Sequence, residues 1–411
     1  MFFFFGSSRR LLTMTTAMAA ANYTSTITPL RSLDVPPDAA QRTAHHVRDK
    51  HGNTIRFRNP HPSAGETKSV WGMTSAFLSE RLSGNLTAPD ISQVKIPSVK
   101  PAFPSTRAVS LTEGGPLRAT WLGHACYLVE FPSGLRVLFD PVFEHRCSPL
   151  SFLGPARYTA PGCALGELPE VDAVVISHSH YDHLSHPSVV ELAEKNPHAH
   201  FFVGLGLEKW FRASGIDRVT EMDWWEDVEL VLTRKGNGEG PESMAAMVSC
   251  LPSQHSSGRT GRDKDHTLWA SWAVASGGKS VWFGGDTGYR VVPRLPTGVD
   301  DYGKEYENLP RCPDFAQIGA RRGPFDLGLI PIAAYTPRFL LSSVHANPFD
   351  AVEIFKDTKC KRAMAIHWGT WMLTVEHPEE PPRLLKEALK RSGLPETGLF
   401  DTCAVGESRE F

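Results

Sequence analysis

The sequence predicts a layered α/β fold on three observations. Short apolar runs of strand length recur from Leu117 onward, helical stretches alternate with the later runs, and 34 Gly and 32 Pro among 411 residues punctuate the chain with turns. In order, "LRATWLGHACYLVEF" and "LRVLFDPVF", separated by "PSG", read as a hairpin. "VDAVVIS" is a continuous apolar run, as expected of a strand buried on both faces. "HPSVVELAEKN" reads as a helix with Ser185 or His186 near its cap and Pro187 in the first turn. Further on, "HFFVGL", "SWAVAS", "SVWFGG", "LGLIPI" and "AMAIHW" are strand-like, whereas "PFDAVEIFKDTK" and "PPRLLKEALKRSG" are helical.

The regions before Leu117 read differently. Residues 1–50, rich in Ala, Thr and Pro, read as a disordered or removable segment. Arg9, Arg10 and Arg31, many Ser and Thr, and no acid before Asp34 give it the composition of a mitochondrial transit peptide. A secretory signal ending near Ala19–Ala21 and a tail with no address are the alternatives. Residues 51–110 form an extension with an amphipathic helix in 66–83, where Val70, Phe77, Leu78 and Leu82 share roughly one face. Such a stripe usually faces a core; a membrane or partner is the other reading. The main domain spans 111–405.

Composition excludes some classes. A formal net charge of −2 gives no basic field for nucleic acid. Seven Cys without a C-x-x-C pair argue against a disulfide framework and a thiolate zinc site. No apolar run reaches the roughly 18 residues a spanning helix needs.

The chemistry concentrates in "SHSHYDHLSHP". His178 and His180, two apart in extended backbone, point to one side, and Asp182 and His183 follow beyond the turn. Imidazole with carboxylate suits Zn²⁺ and related ions. A polar turn that happens to be His-rich is the bland alternative. Context favours the metal, because further candidate ligands stand near the ends of later apolar runs: His255 in "CLPSQHSSG", Asp286 in "VWFGGDTGY" and His367 in "AMAIHWGT".

The pattern H-x-H-x-D-H, a distant His, a "GGDTG"-type Asp and a final His resembles the metallo-β-lactamase superfamily. More narrowly, the blocks "FRNPHPS", "TWLGHACYLVE", "DPVFEHRCSPLSFLGPARY", "ELPEVDAVVISHSHYDHL", "HTLWASWAV", "FGGDTGY", "GPFDLGLIPIAAYTPR", "VHANP" and "AIHWGT" are similar, in order, to N-acyl-phosphatidylethanolamine-hydrolysing phospholipases D. The resemblance implies an αβ/βα four-layer sandwich and two Zn²⁺ per chain. His178, His180 and His255 would hold one zinc and Asp182, His183 and His367 the other, with Asp286 bridging. It places His124 and Asp140 close to the site. Asp140 reads as orienting a ligand His or, equally, as capping the turn before Pro141. His345 in "VHANP" is a candidate for contacting substrate or protonating a leaving group; a structural hydrogen bond is its alternative.

The implied activity is a phospholipase D-type hydrolysis of N-acyl phosphatidylethanolamine to N-acylethanolamine and phosphatidic acid. It would work at a membrane surface, in a homodimer. Paired zinc ions would lower the pKa of a shared water to about 7 and stabilise charge on the phosphoryl group, with Asp182 and Asp286 beside the reaction. A lactonase or a phosphodiesterase of soluble substrates needs the same ligands and is the alternative function. "AAYTPRFLLSSV", with Tyr335, Phe339, Leu340 and Leu341, reads as pocket-mouth or core. Arg157 and Arg338 are candidates for phosphate contact or for ordinary ion pairs. Ser256 and Ser257 replace the bulkier residue the resemblance leads one to expect, and "SSGRTGRDKD" reads as a polar, flexible wall.

Overall fold

The structure, a computed structural model, describes residues 23–31, 34–36, 42–66, 70–84, 86–104, 107, 115–235, 242–296 and 298–411. The described residues begin with strand β1 (Tyr23–Leu30), a hairpin of β2 (His46–Arg48) and β3 (Thr54–Phe57), and helix α1 (Val70–Leu82). Next come β4 (Arg118–Gly123), β5 (Cys126–Glu130), β6 (Arg136–Phe139), β7 (Ala173–Val175), α2 (His186–Lys195), β8 (His200–Gly204), α3 (Glu208–Ala213) and β9 (Val219–Met222). The second half holds β10 (Asp227–Arg234), β11 (Ser243–Leu251), β12 (Ser271–Ser276), β13 (Lys279–Phe283), α4 (Asp314–Arg321), β14 (Phe325–Pro331), α5 (Arg338–Leu341), α6 (Pro348–Asp357), β15 (Cys360–Ile366), α7 (Glu380–Arg391), β16 (Phe400–Asp401) and β17 (Ser408–Glu410).

Strand patterning explains the layers. In β5, Tyr127 and Val129 enter the main core while Cys126 and Leu128 enter a second one; β6, β7 and β8 alternate in the same way. These strands form a seven-stranded sheet in the order β17-β4-β5-β6-β7-β8-β9. The main core lies between it and an eight-stranded sheet in the order β1-β10-β11-β12-β13-β14-β15-β16. The second core is closed by α2 and α3, through Val189, Leu192 and Phe211. On the far side, Phe315 and Ile318 of α4, Ile354 and Phe355 of α6, and Leu385 and Leu389 of α7 are buried against the larger sheet's core. Helices outside two facing sheets make the expected αβ/βα sandwich, and burial on both faces is why the strands read as continuous apolar runs.

Three expectations change. Residues 1–22, which carry most of the targeting signal, lie outside the described residues. Within 23–50, however, Tyr23–Leu30 is no disordered tail: all eight residues of β1 pair antiparallel with β10, and Tyr23 is buried. The predicted front hairpin is really three strands. Gly123 and His124 take positive φ (111° and 53°) and reverse the chain between β4 and β5, and a second turn joins β5 to β6. Finally, α1 turns part of its apolar stripe to solvent. Trp71 (83% exposed), Leu78 (55%) and Leu82 (79%) face outward.

The segment before α1 is tied to the domain. His45 and His46 hold the Asp223 carboxylate at 2.7 and 2.8 Å, and His45 stacks on Trp224. Asp172, fully buried, accepts two hydrogen bonds from Arg107 (2.5 and 2.9 Å) and one from the Arg136 backbone N–H (2.7 Å); His198 Nε2 lies 3.2 Å away.

Candidate metal centre

The site forms where strands of both sheets end. Past β7, Ile176–Ser179 carry the chain out of the core to a tight turn, in which the His183 and Leu184 N–H groups donate to the His180 carbonyl at 3.1 and 2.8 Å. Ser185 then caps α2 by accepting from the Ser188 N–H, close to where the sequence places the helix start. The other predicted residues arrive on separate segments: His124 between β4 and β5, Asp140 after β6, His255 after β11, Asp286 after β13 and His367 after β15. His124, Asp140 and His367 all take left-handed backbone (φ 53°, 37° and 63°), conformations that non-glycine residues rarely hold and that concentrate at functional sites.

Two trios of donor atoms result. His178 Nε2 and His255 Nε2 lie 2.8 and 3.2 Å from His180 Nδ1. Asp182 Oδ2 lies 3.4 Å from His183 Nε2 and 3.3 Å from His367 Nε2, with His124 Nε2 at 3.0 Å on its other side. Asp286 stands between the trios. Its Oδ1 is 3.2 Å from His183 Nε2, and its Oδ2 is 3.1 Å from His367, 3.6 Å from His255 and 3.9 Å from His178. All ten predicted site residues meet here, His345 more loosely, with Nδ1 3.9 Å from Asp286 Oδ2. His186 stands apart with its ring edge-on to Trp210.

The outer nitrogens fix the donors. His255 Nδ1 faces the Val344 carbonyl at 2.8 Å, His183 Nδ1 faces Asp140 at 2.6 Å, and His178 Nδ1 faces the Ser177 hydroxyl at 2.9 Å. An imidazole that donates from Nδ1 presents its Nε2 lone pair inward. Asp140 also accepts from the Ser177 N–H and hydroxyl, at 2.7 and 2.5 Å. Ser177 was not legible in the sequence; standing between Asp140 and His178, its only signal was the position before the first His. Asp140→Ala should lower metal affinity about 10- to 100-fold, measured by competition with a chelating dye. Unchanged affinity would show that His183 does not need this partner.

Electrostatics separate the imidazoles. Burial, aided by neighbouring rings, pushes His178 and His255 well below the ordinary range, so both are neutral bases near pH 7. Burial acts the same way on His183 and His367, but Asp286 and Asp182 outweigh it, joined by Asp140 at His183; His183 is raised well above the usual range and His367 to about 9. Burial would also raise the carboxyls of Asp182 and Asp286, yet the surrounding imidazoles hold both well below theirs. His345 is lowered to about 4, chiefly by burial, so it is not an imidazolium at neutral pH.

A cation fits these residues. His183 Nε2 and Asp286 Oδ1 are buried without a hydrogen-bond partner although 3.2 Å apart, and an unsatisfied buried polar group costs about 1–3 kcal/mol. A cation between imidazole and carboxylate satisfies both, and the set of N and O donors without thiolate is one that first-row divalent ions take.

The surroundings revise other readings. Arg259 stacks 4.0 Å over Tyr181 and donates to the carbonyls of Ser179 and Leu184, so "SSGRTGRDKD" is pinned to the turn that carries His180 and His183, not loose. Tyr335, Leu340 and Leu341 are buried and belong to the core. Arg157 donates to the Val142 and Glu144 carbonyls and stacks 4.0 Å over Trp371, while Arg338 pairs with Asp301 and Asp350. Both guanidiniums are engaged within the chain. A slot beside His367 is lined instead by Tyr158, Ala333, Trp368, Trp371, Leu373 and Pro378.

A family model and curated relatives match this chain. The Beta-lactamase superfamily domain matches residues 135–368. Over 350 residues the chain is 38% identical to N-acyl-phosphatidylethanolamine-hydrolyzing phospholipase D 1 of Caenorhabditis elegans, covering 82% of this chain and 87% of that protein. It is 30% identical over 295 residues to the mitochondrial N-acyl-phosphatidylethanolamine-hydrolyzing phospholipase D of Saccharomyces cerevisiae, covering 70% of this chain and 55% of the yeast protein. Among solved structures, an isothiocyanate hydrolase from Delia radicum gut bacteria overlays 72% of this chain and 99% of its own, with a TM-score of 0.47 and 15% identity. The chain therefore belongs to the N-acyl-phosphatidylethanolamine-hydrolysing phospholipase D family of the β-lactamase superfamily, and it is a metal-dependent hydrolase.

Proposed function

We propose that the chain is a zinc-dependent, phospholipase D-type phosphodiesterase that converts N-acyl phosphatidylethanolamines to N-acylethanolamine and phosphatidic acid. The observation that carries the reading is the pair of donor trios joined through Asp286. His178, His180 and His255 would hold one zinc; Asp182, His183 and His367 would hold the other, with Asp286 shared. Bound there, the two ions supply Lewis acidity toward a phosphoryl oxygen and toward water. The chain's own part is placement. Asp140, Ser177 and the Val344 carbonyl hold three imidazoles in one tautomer, and His124 steadies Asp182. His345, neutral and with Nδ1 unpartnered, is available as a hydrogen-bonding group for substrate or leaving group.

Two features support a lipid substrate at a membrane surface. The slot beside His367 is lined mostly by aromatic and aliphatic side chains, with Thr374 and Glu376 among them. Outside it, Trp71, Leu78 and Leu82 lie on one face of α1, and Leu150, Phe152 and Leu153 stand exposed before β7. Among the described residues no helix is long and apolar enough to cross a membrane, so attachment would be peripheral. The composition of the first 34 residues supports a mitochondrial address, the compartment in the yeast relative's name.

The test is incubation with vesicles containing N-acyl phosphatidylethanolamine, followed by product analysis. We expect N-acylethanolamine and phosphatidic acid in a 1:1 ratio, loss of turnover with a chelator, and recovery with Zn²⁺. An enzyme that ignores vesicles yet hydrolyses soluble lactones or phosphodiesters would overturn the lipid reading.

A further inference from the structure

The backbone of His255 is held by a side chain rather than by a neighbouring strand. His255 lies four residues past β11, in the connection to β12, where no sheet ladder holds its backbone. Its backbone groups are taken by a side chain from 196 residues earlier. The Asn59 carboxamide donates from Nδ2 to the His255 carbonyl at 2.7 Å and accepts the His255 N–H on Oδ1 at 3.1 Å. This reciprocal pair reproduces what a neighbouring strand would offer, and a carboxamide is the side chain that both donates and accepts at this reach. The adjacent residue is held in the same way. Ser63 donates to the Gln254 side chain at 2.5 Å, and that side chain donates in turn to the Ser63 and Ser343 carbonyls.

The segment bearing Asn59 is itself anchored at both ends. Upstream, His45 and His46 grip Asp223, and the Phe57 N–H donates to the Asp265 carbonyl at 2.7 Å. Downstream, His61 meets Asp314 at 3.0 Å. Pro60 and Pro62 flank His61 and stiffen the run between the two anchors. The whole strap precedes the matched superfamily domain, which starts at residue 135.

We propose that Asn59 is a positioning residue for the metal centre: through the His255 backbone it sets the inward presentation of this imidazole toward His178 and His180. The proposal rests on the reading of those three histidines as one metal-binding trio. Replacing Asn59 by Ala removes both hydrogen bonds. Replacing it by Asp keeps the acceptor but turns a second carboxylate oxygen toward the His255 carbonyl, so geometry is lost at nearly constant volume.

The test is competition between a chelating dye and the full-length chain for Zn²⁺, with the unfolding transition of the metal-free protein recorded in parallel. Outer partners of metal ligands typically govern about 10- to 100-fold of affinity. Asn59→Ala and Asn59→Asp should therefore each weaken one of the two zinc equivalents by about tenfold or more, leaving the other equivalent and the metal-free transition near wild type. Arg58→Ala is the neighbouring control, since among the described residues that side chain donates to the Ala44 carbonyl and not to the His255 loop; it should change neither. The proposal is overturned if both equivalents keep wild-type affinity in the Asn59 variants. It is equally overturned if both equivalents weaken together with the metal-free transition, which is the signature of a purely structural tether. His255→Ala separates this from the underlying reading. If it loses one equivalent while Asn59→Ala loses none, the trio stands and the strap does not; if it keeps two, the trio itself is wrong.

Discussion

Asp286→Asn should reduce hydrolysis by about 10³-fold or more, equivalent to ~4 kcal/mol of transition-state stabilisation. The size follows from position. Among the described residues Asp286 is the one carboxylate within 4 Å of donors from both trios, and its two oxygens approach five imidazoles. The amide preserves volume but removes the charge and offers one acceptor where there were two. Elemental analysis should show metal content well below that of the wild type, while far-ultraviolet circular dichroism stays unchanged, because the sheets on either side do not depend on this side chain. Full metal content with intact turnover would remove the shared-ligand arrangement.

The second large effect concerns stability. Asp172→Ala should destabilise the fold by about 3 kcal/mol in urea unfolding, since it leaves Arg107, 7% exposed at its side chain, with only the more exposed Glu170 carboxylate as partner. The residue joins the segment at Arg107, the start of β6, and the turn carrying His198. Burial alone would raise its carboxyl, but hydrogen bonds from His198 and Arg107 hold it below the usual range. A depressed folded-state pKa contributes stability that is fully present above the unfolded value, about 3.9, and is lost as pH falls through the folded value. Wild-type stability should accordingly drop below about pH 4, and this part of the acid limb should be missing in Asp172→Ala. Equal acid limbs in the two proteins would refute the assignment.

What could be read from sequence followed how local each signal was. The four candidate ligands from His178 to His183 lie in one turn, and the strands delivering Asp286 and His367 are apolar enough to recognise alone, whereas β11, which delivers His255, showed only as a short apolar run. Sandwich burial made β5 to β8 legible for the same reason. Long-range pairing was not legible. Tyr23–Leu30, rich in Thr and Ser, looks like a leader until β10 supplies its hydrogen-bonding partner. Ser177 and Asn59 are small polar residues whose roles arise only from what the fold brings beside them. The periodicity of α1 revealed a stripe at Leu78 and Leu82 but not that the stripe faces outward, because period says nothing of what lies opposite.

The placement of β4, β5 and the Asn59 strap bears on what counts as the folding unit. The matched domain begins at residue 135, just before β6, yet β6 pairs along its length with β5, and His124 lies in the turn before β5. A fragment restricted to 135–368 would expose the β6 edge, lose a neighbour of Asp182 and leave the His255 loop unbraced. The interval that identifies the family is therefore shorter than the interval that can fold and hold the site, and proteolytic trimming toward the former should dismantle the latter cooperatively.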